Sequence, residues 1–286
     1  NPTGEIGCLL AGVMARTVVR YHSDVVRQAL AMRVYGPVFR AFLRRAAVIM
    51  PTSQAYLDSS PWLQEVRDRC VVVPLGIETE AFNYPDPERV AALRRMYGDP
   101  FVLFAGRHRY YKGLPVLVRA AARIPATVVI AGDGPERDPA MDLAASLGLK
   151  NTVFPGALSQ EELTAHYHAS AVVAFPSVAR SEAFGLTILE AHACGRPVVA
   201  TRLGTGVEWA NLDGVTGLNV PAGDAAALAD ALNRLLGDAA LRERMGKAAR
   251  QRVREQFHVS RAAWMEYAVC RAAAEGRLPT DAELAV

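Results

Sequence analysis

Phe101-Val102-Leu103-Phe104-Ala105-Gly106-Arg107-His108-Arg109-Tyr110-Tyr111-Lys112-Gly113-Leu114-Pro115 is the stretch from which the fold is read. Five apolar residues without polar alternation describe a strand covered on both faces. A cationic loop follows, leading to a helix near 113–123. The unit then repeats. Strand 127–131 leads through Gly132-Asp133-Gly134-Pro135 to a helix ending at Gly148. Strand 152–154 precedes a helix opened by Ser159-Gln160-Glu161-Glu162, a capping-box pattern. Strand 171–175 precedes a helix over 184–193, and strand 197–200 follows Gly195. Such alternation predicts a doubly wound parallel α/β sheet. Past residue 223 only helices are expected, over 224–236, 238–256 and 260–274.

Upstream, 17–21 reads as a strand. Ser23 or Asp24 caps a helix from Val25 to Arg45, interrupted at Gly36-Pro37. Residues 47–50 and 70–73 read as further strands. Asp86 and Pro87 open a helix to Tyr97.

Composition narrows the function classes. The 286 residues are 51% hydrophobic and 21% charged, a globular balance. Lys+Arg 32 against Asp+Glu 29 leaves +3, which argues against a nucleic-acid partner. No apolar run approaches the ~18 residues of a membrane span. Cys8, Cys70, Cys194 and Cys270 are too scattered for a zinc site or disulfide framework and fit a reducing cytoplasm. The basic residues are 29 Arg and only 3 Lys, and Lys112 is one of the three.

Ligands of such sheets sit beyond the C-terminal strand ends, so loops 106–113, 132–138, 155–159 and 176–185 are the ones to inspect. Arg107, Arg109 and Lys112 suit phosphate oxygens, against the plainer reading of a solvated basic loop. In Arg180-Ser181-Glu182-Ala183-Phe184-Gly185-Leu186-Thr187-Ile188-Leu189-Glu190 two carboxylates bracket a helix start. Glu182 and Glu190 would stand ~12 Å apart if the segment were wholly helical. Between them the first amides, of Phe184, Gly185 and Leu186, are free to meet phosphate. Carboxylates accept paired hydroxyl donors, as from sugar diols. The bland alternative is two helix glutamates, but Glu190 lies between Leu189 and Ala191 on an apolar helix, where an unpaired carboxylate is costly.

Together these segments resemble the retaining glycosyltransferases of the two-lobed GT-B fold, in the family typified by bacterial mannosyl- and glucosyltransferases. The resemblance rests on Gly106-Arg107 with Lys112-Gly113, on Gly132-Asp133-Gly134-Pro135, and on Glu182-Ala183-Phe184-Gly185 through Glu190. It extends to Gly195-Arg196-Pro197-Val198-Val199-Ala200, to the run from Gly214 to Asp224, and to Pro74-Leu75-Gly76-Ile77-Glu78 as an inter-lobe link. It implies a partial N-terminal acceptor lobe over 1–75 and a Rossmann-like nucleotide-sugar donor domain over 76–256. A helical segment over 257–286 would pack back toward the first lobe. It also implies that Asn1 falls well inside that lobe, with roughly a hundred residues before it. An exposed sheet edge near 17–21 would then favour homo-oligomers.

The resemblance implies roles too. Arg107 and Lys112 hold the donor diphosphate, Glu182 orients the donor sugar, and Glu190 takes the ribose hydroxyls. The amides of Phe184, Gly185 and Leu186 meet the phosphates, and Leu158 borders the base. His22, in Tyr21-His22-Ser23-Asp24, faces the transferred sugar; a structural histidine is the competing reading. No metal or other cofactor is required. The expected reaction moves a hexose from a GDP- or UDP-linked donor to a glycan or lipid-linked acceptor with retention. A catalytically inactive sugar-nucleotide-binding module and a sugar-nucleotide epimerase are the alternatives.

Two features carry less. Gly204-Thr205-Gly206-Val207-Glu208-Trp209 begins like a dinucleotide fingerprint but has Trp209 where the third glycine belongs. Arg16, Arg20, Arg27, Arg33, Arg40, Arg44 and Arg45, interleaved with Val34, Val38, Phe39 and Phe42, suggest either peripheral contact with anionic lipid or a solvated helix face.

Overall fold

The computed structural model describes residues 2–12, 17–24 and 29–285. Asn1, Arg16, Val25 and Arg27 lie outside the described residues, and with them the proposed start of the helix at Val25. The first part of the chain comprises α1 (Pro2–Leu10), β1 (Val18–Tyr21), α2 (Ala29–Arg45), β2 (Val48–Pro51), α3 (Gln54–Ser59), α4 (Pro61–Gln64) and α5 (Pro87–Tyr97). Then come β3 (Val102–Ala105), α6 (Leu114–Ala121), β4 (Val128–Ala131), α7 (Arg137–Ser146), β5 (Thr152–Gly156), α8 (Gln160–Ala169), β6 (Val172–Phe175), α9 (Leu186–Ala193) and β7 (Val198–Arg202). The chain continues through α10 (Val207–Ala210), β8 (Gly217–Pro221), α11 (Ala225–Gly237), α12 (Ala239–Gln256), α13 (Val259–Ala274) and α14 (Asp281–Leu284).

Strands β3 to β8 form one parallel sheet in the order β5-β4-β3-β6-β7-β8. The direction of winding reverses between β3 and β6, so the loops leaving these neighbouring strands part and open a crevice, the usual ligand position of a doubly wound sheet. Burial explains the apolar strand runs. Phe101, Leu103 and Ala105 pack into one hydrophobic layer with Phe175, Leu189 and Phe257. Val102 and Phe104 point into the opposite layer with Leu117, Ile130 and Leu232. Asp86 caps α5 through its carboxylate and Ser159 caps α8 through its hydroxyl, as their positions predict.

A second, two-stranded parallel sheet pairs β1 with β2, Val18 opposite Val48 and Tyr21 opposite Pro51. Among the described residues β1 pairs with no other strand. The C-terminal α13 lies against this sheet: Met265, Val269 and Ala273 pack on Val48, Met50 and Val73, and Arg20 pairs with Glu266 at 3.0 Å.

Three expectations are corrected. α2 runs unbroken through Gly36-Pro37, because Pro37 is on the solvent side while Gly36 packs on the Trp62 ring and Phe42 is buried in the core. Residues 70–73 do not form a strand; Val71 and Val73 donate to Ile49 and Pro51, and Pro74, without an N–H, ends the ladder. The helix after β6 starts at Leu186, not at 184.

α2 also turns its apolar residues inward. Phe39 meets Trp62 edge-on with centroids 5.2 Å apart, and of Val34, Val38, Phe39 and Phe42 only Val34 is exposed. Arg40 and Arg44 both pair with Glu65. No helix of the described residues is long and apolar enough to cross a membrane. Cys8, Cys70, Cys194 and Cys270 are free thiols.

Candidate active site

The β3–α6 and β6–α9 loops are laced together across the crevice. Val178 N–H donates to the Tyr111 carbonyl at 2.7 Å, and the hydroxyls of Tyr110 and Ser181 lie 2.9 Å apart. Gly113 permits this approach. Its φ is 69°, and a Cβ there would fall 2.0 Å from the Pro176 carbonyl oxygen.

Lys112, at the end of the turn before Gly113, is thereby aimed under the second loop. Its Nζ lies 2.6 Å from Glu182 Oε2, and the two side chains are 11% and 10% exposed. Ser177 donates to the same carboxylate oxygen at 3.0 Å. The ammonium also sits 4.9 Å from the centroid of the Phe175 ring. The backbone of the Glu182 segment is held from the other side: Thr205 Oγ1 donates to the Glu182 carbonyl at 2.9 Å, and Gly206 N–H to that of Ala183 at 2.8 Å.

Glu190 projects from α9 toward the same place. Its Oε2 accepts from the buried Tyr167 hydroxyl at 2.8 Å, and no other protein donor reaches its carboxylate among the described residues. Burial raises this carboxyl above its ordinary range, while the Tyr167 bond and the Lys112 cation pull the other way. The Lys112 ammonium is thus paired with Glu182 and also acts through its charge on Glu190. Residues 182–185 are not helical, so the ~12 Å helical spacing does not describe Glu182 and Glu190.

At the start of α9 the amides of Phe184, Gly185 and Leu186, with that of Thr187, meet no protein acceptor among the described residues. They are the unmatched donors of a helix N-terminus, where anions are favoured. Arg107 and Leu158 line a cleft of about 500 Å³ beside Gly106, Asp133 and Gly134. His108, in the same loop as Arg107, is fully buried, and burial lowers its pKa, which favours the neutral ring.

His22 is exposed, and its imidazole is pushed below its usual range by partial burial and by Arg20. No hydrogen bond or ion pair joins it to Lys112 or Glu182 among the described residues. Its neighbour Asp24 is tied to the site instead. Asp24 Oδ1 accepts from Tyr21 at 2.7 Å and Ser60 at 2.6 Å, and Oδ2 lies 3.7 Å from Arg180 Nη2. Arg180 stacks on Tyr56 and donates to the Gly204 carbonyl. Sequence reasoning gives none of Asp24, Tyr167, Ser177, Arg180 and Thr205 a role in the site. Arg180 lies two residues before Glu182 and Asp24 two after His22; only the folded loops bring them together.

The Gly204–Trp209 segment is closed to a dinucleotide by its own chemistry. Glu208 accepts from the amides of Leu203 at 2.8 Å and Gly204 at 2.7 Å, donors a phosphate would need. His166 and His168 contact separate carbonyls, those of Glu162 and Phe82. Among the described residues the one group of three or more metal-ligating side chains is Glu78, Glu80 and His258. It lies where Ile77 bridges His258, outside the two loops that carry Lys112 and Glu182.

Residues 87–252, which contain both laced loops, match the family described as glycosyl transferases group 1. The chain belongs to that family. It is 41% identical over 243 residues to O-antigen chain mannosyltransferase C of Escherichia coli, covering 85% of this chain and 65% of that protein. It is 36% identical over 256 residues to D-rhamnosyltransferase WbpZ of Pseudomonas aeruginosa, covering 90% and 67%. The chain thus spans about two thirds of the length of these relatives. Sucrose-phosphate synthase from Thermosynechococcus elongatus superimposes with a TM-score of 0.80 at 29% identity, over 94% of this chain and 70% of the other. The Anabaena protein Alr3699/HepE, solved in complex with UDP, gives 0.78 at 23% identity, over 91% and 73%. The fold is the GT-B glycosyltransferase type with a Rossmann-like parallel sheet.

Proposed function

We propose that the chain transfers a hexose from a nucleoside diphosphate sugar to a glycan or lipid-linked acceptor, with retention of configuration. The observation that carries this is the buried Lys112–Glu182 pair, with Glu190 beside it and unmatched amides at 184–187. Lys112, Arg107 and the α9 amides take up the charge that develops as the sugar–phosphate bond breaks toward the diphosphate. Glu182 orients the sugar and Glu190 the ribose, while Leu158 borders the base. The donor phosphate takes the acceptor proton as the new glycosidic bond forms on the same face. No metal is needed in this scheme, since protein cations and amides supply the positive charge. Residues 76–256 act as the donor side, 1–75 as part of the acceptor side with His22 facing the sugar, and 257–286 as the helical return. The two named relatives favour a mannose-configured sugar, D-rhamnose being 6-deoxymannose, and a cell-surface glycan acceptor.

The test is a thermal-shift panel with UDP, GDP, ADP and their sugars on the chain and on Glu190→Ala. Ligand at ~100 times Kd adds about 2.7 kcal/mol, a shift of several degrees. A shift confined to one base and lost in Glu190→Ala is expected. No shift with any nucleotide refutes the donor site, and an undiminished shift in the variant refutes the ribose role.

A further inference from the structure

A cavity larger than the Arg107–Leu158 cleft lies away from the donor crevice. It holds about 710 Å³ and opens around Ala171 and Pro197, at the ends where β6 and β7 begin. α12 forms its wall. Gly246 allows that wall to close on the Gly195 turn, for a Cβ there would fall 2.1 Å from the Gly195 carbonyl oxygen. Five cations line the cavity, Arg196, Arg242, Lys247, Arg250 and Arg254, against Glu243 and Glu255.

None of the five is ion-paired to a carboxylate among the described residues. Three have a structural task. Arg196 donates to Ser170 O, Arg242 to Leu235 and Leu236 O, and Arg250 to Ala193 O, each a carbonyl at a helix C-terminus. Those bonds use few of each guanidinium's five donors. Arg196 Nε is buried and has no partner. Lys247 and Arg254 make no side-chain hydrogen bond or ion pair among the described residues, yet lie on the same wall, which carries five cations against the two carboxylates Glu243 and Glu255. Neighbouring groups feel the excess: Arg196 is held below its usual range by burial first, with Arg94, Arg250 and Arg242 adding to it. His168 is lowered by burial and also by Arg196, Arg250 and Arg94. Cations in excess of the acids beside them repel one another, and a bound anion relieves that repulsion.

We propose that this cavity is a second anion site, separate from the donor crevice, for a small molecule carrying clustered phosphoryl groups. Guanidinium forks suit phosphoryl oxygens, and Lys247 adds a mobile point charge. The volume exceeds that of the Arg107–Leu158 cleft and leaves room for more than one phosphoryl group.

The probes are inorganic pyrophosphate and tripolyphosphate, titrated calorimetrically into the whole chain at ~0.15 M salt, where exposed charges are screened beyond ~8 Å. Two classes of site are expected. Arg107→Ala/Lys112→Ala should remove only the donor-side class. Lys247→Glu/Arg254→Glu, reversals at two exposed α12 positions, should weaken the other about tenfold or more and leave nucleoside diphosphate binding intact. A single class lost wholly in Arg107→Ala/Lys112→Ala overturns the proposal. So does residual binding indifferent to Lys247→Glu/Arg254→Glu. Co-sedimentation with phosphatidylserine vesicles, lost in that variant, would identify a lipid headgroup as the phosphate source; pyrophosphate binding without vesicle binding would identify a soluble one.

Discussion

Lys112→Met removes a cation while keeping a chain of similar length against Phe175, so it isolates the charge. With both partners of the Lys112–Glu182 pair about nine-tenths covered, the variant belongs with broken buried pairs rather than with surface pairs worth 0–1 kcal/mol. Glu182 would be left buried with only the Ser177 hydroxyl. Stranding a buried charge in this way costs about 3–5 kcal/mol. At roughly 2–4 °C per kcal/mol, Tm should fall by about 6 °C or more. The double variant Lys112→Met/Glu182→Gln removes both charges, and the Gln carbonyl can still accept from Ser177. It should return to within about 1 kcal/mol of the parent, since neutral replacements of buried pairs are often tolerated. Urea unfolding of the parent, both single variants and the double variant measures the coupling directly. Both Lys112 variants should lose diphosphate affinity whatever their stability. A loss below about 1 kcal/mol in Lys112→Met, or a double variant no better than the single, would refute the buried-pair reasoning.

Glu190→Gln keeps an acceptor for Tyr167 but removes the charge. Because burial raises the folded carboxyl, its stabilising contribution is present below the unfolded pKa of ~4.3 and is lost as pH rises through the folded value. The ligand-free variant should therefore be the more stable near neutrality and lose that advantage in acid, as urea midpoints against pH would show. His192 has the opposite sign. Complete burial pushes its imidazole down to about 3, so its contribution is intact above the unfolded value of ~6.5 and drains away toward pH 3. His192→Leu should flatten the acid limb of the stability curve across that window; an unchanged limb would assign acid unfolding to other groups. Gly113→Ala would drive a Cβ into the Pro176 carbonyl. It should lower both Tm and nucleoside diphosphate affinity, the latter through displacement of Lys112, which a fluorescence titration would detect.

The parallel sheet was legible because its strands are buried on both faces. Phe101 to Ala105 alternate between two apolar layers, so neither face carries a polar residue to blur the run. Elements marked by local chemistry were equally readable, as with Asp86 and Ser159, whose side chains cap the helices that follow them. The misreadings came where distant packing overrode a local signal. Pro37 stops a helix only if nothing else holds it, and Phe39 and Phe42 anchor α2 beyond the proline. Residues 70–73 have strand composition and make two ladder bonds to β2, but Pro74 stops the pairing there.

The site divides along the same line. Lys112, Glu182 and Glu190 stood out because charge in an apolar or glycine-rich setting is costly, and cost without evident compensation points to function. The compensation itself was invisible. Tyr167 reads as one more aromatic on α8, and its hydroxyl becomes relevant only when the sheet order brings α8 against α9. Ser177 and Arg180 likewise enter through the loop after β6, and Thr205 from the loop after β7, against the Glu182 carbonyl. Sequence periodicity identifies which residues cannot be indifferent to their surroundings, whereas strand order decides which of them meet. Here the winding reversal places the Lys112 loop on the Glu182 loop, and Gly113 permits their contact. The buried ion pair is therefore a product of topology, available only to a chain that already has the rest of the sheet in place.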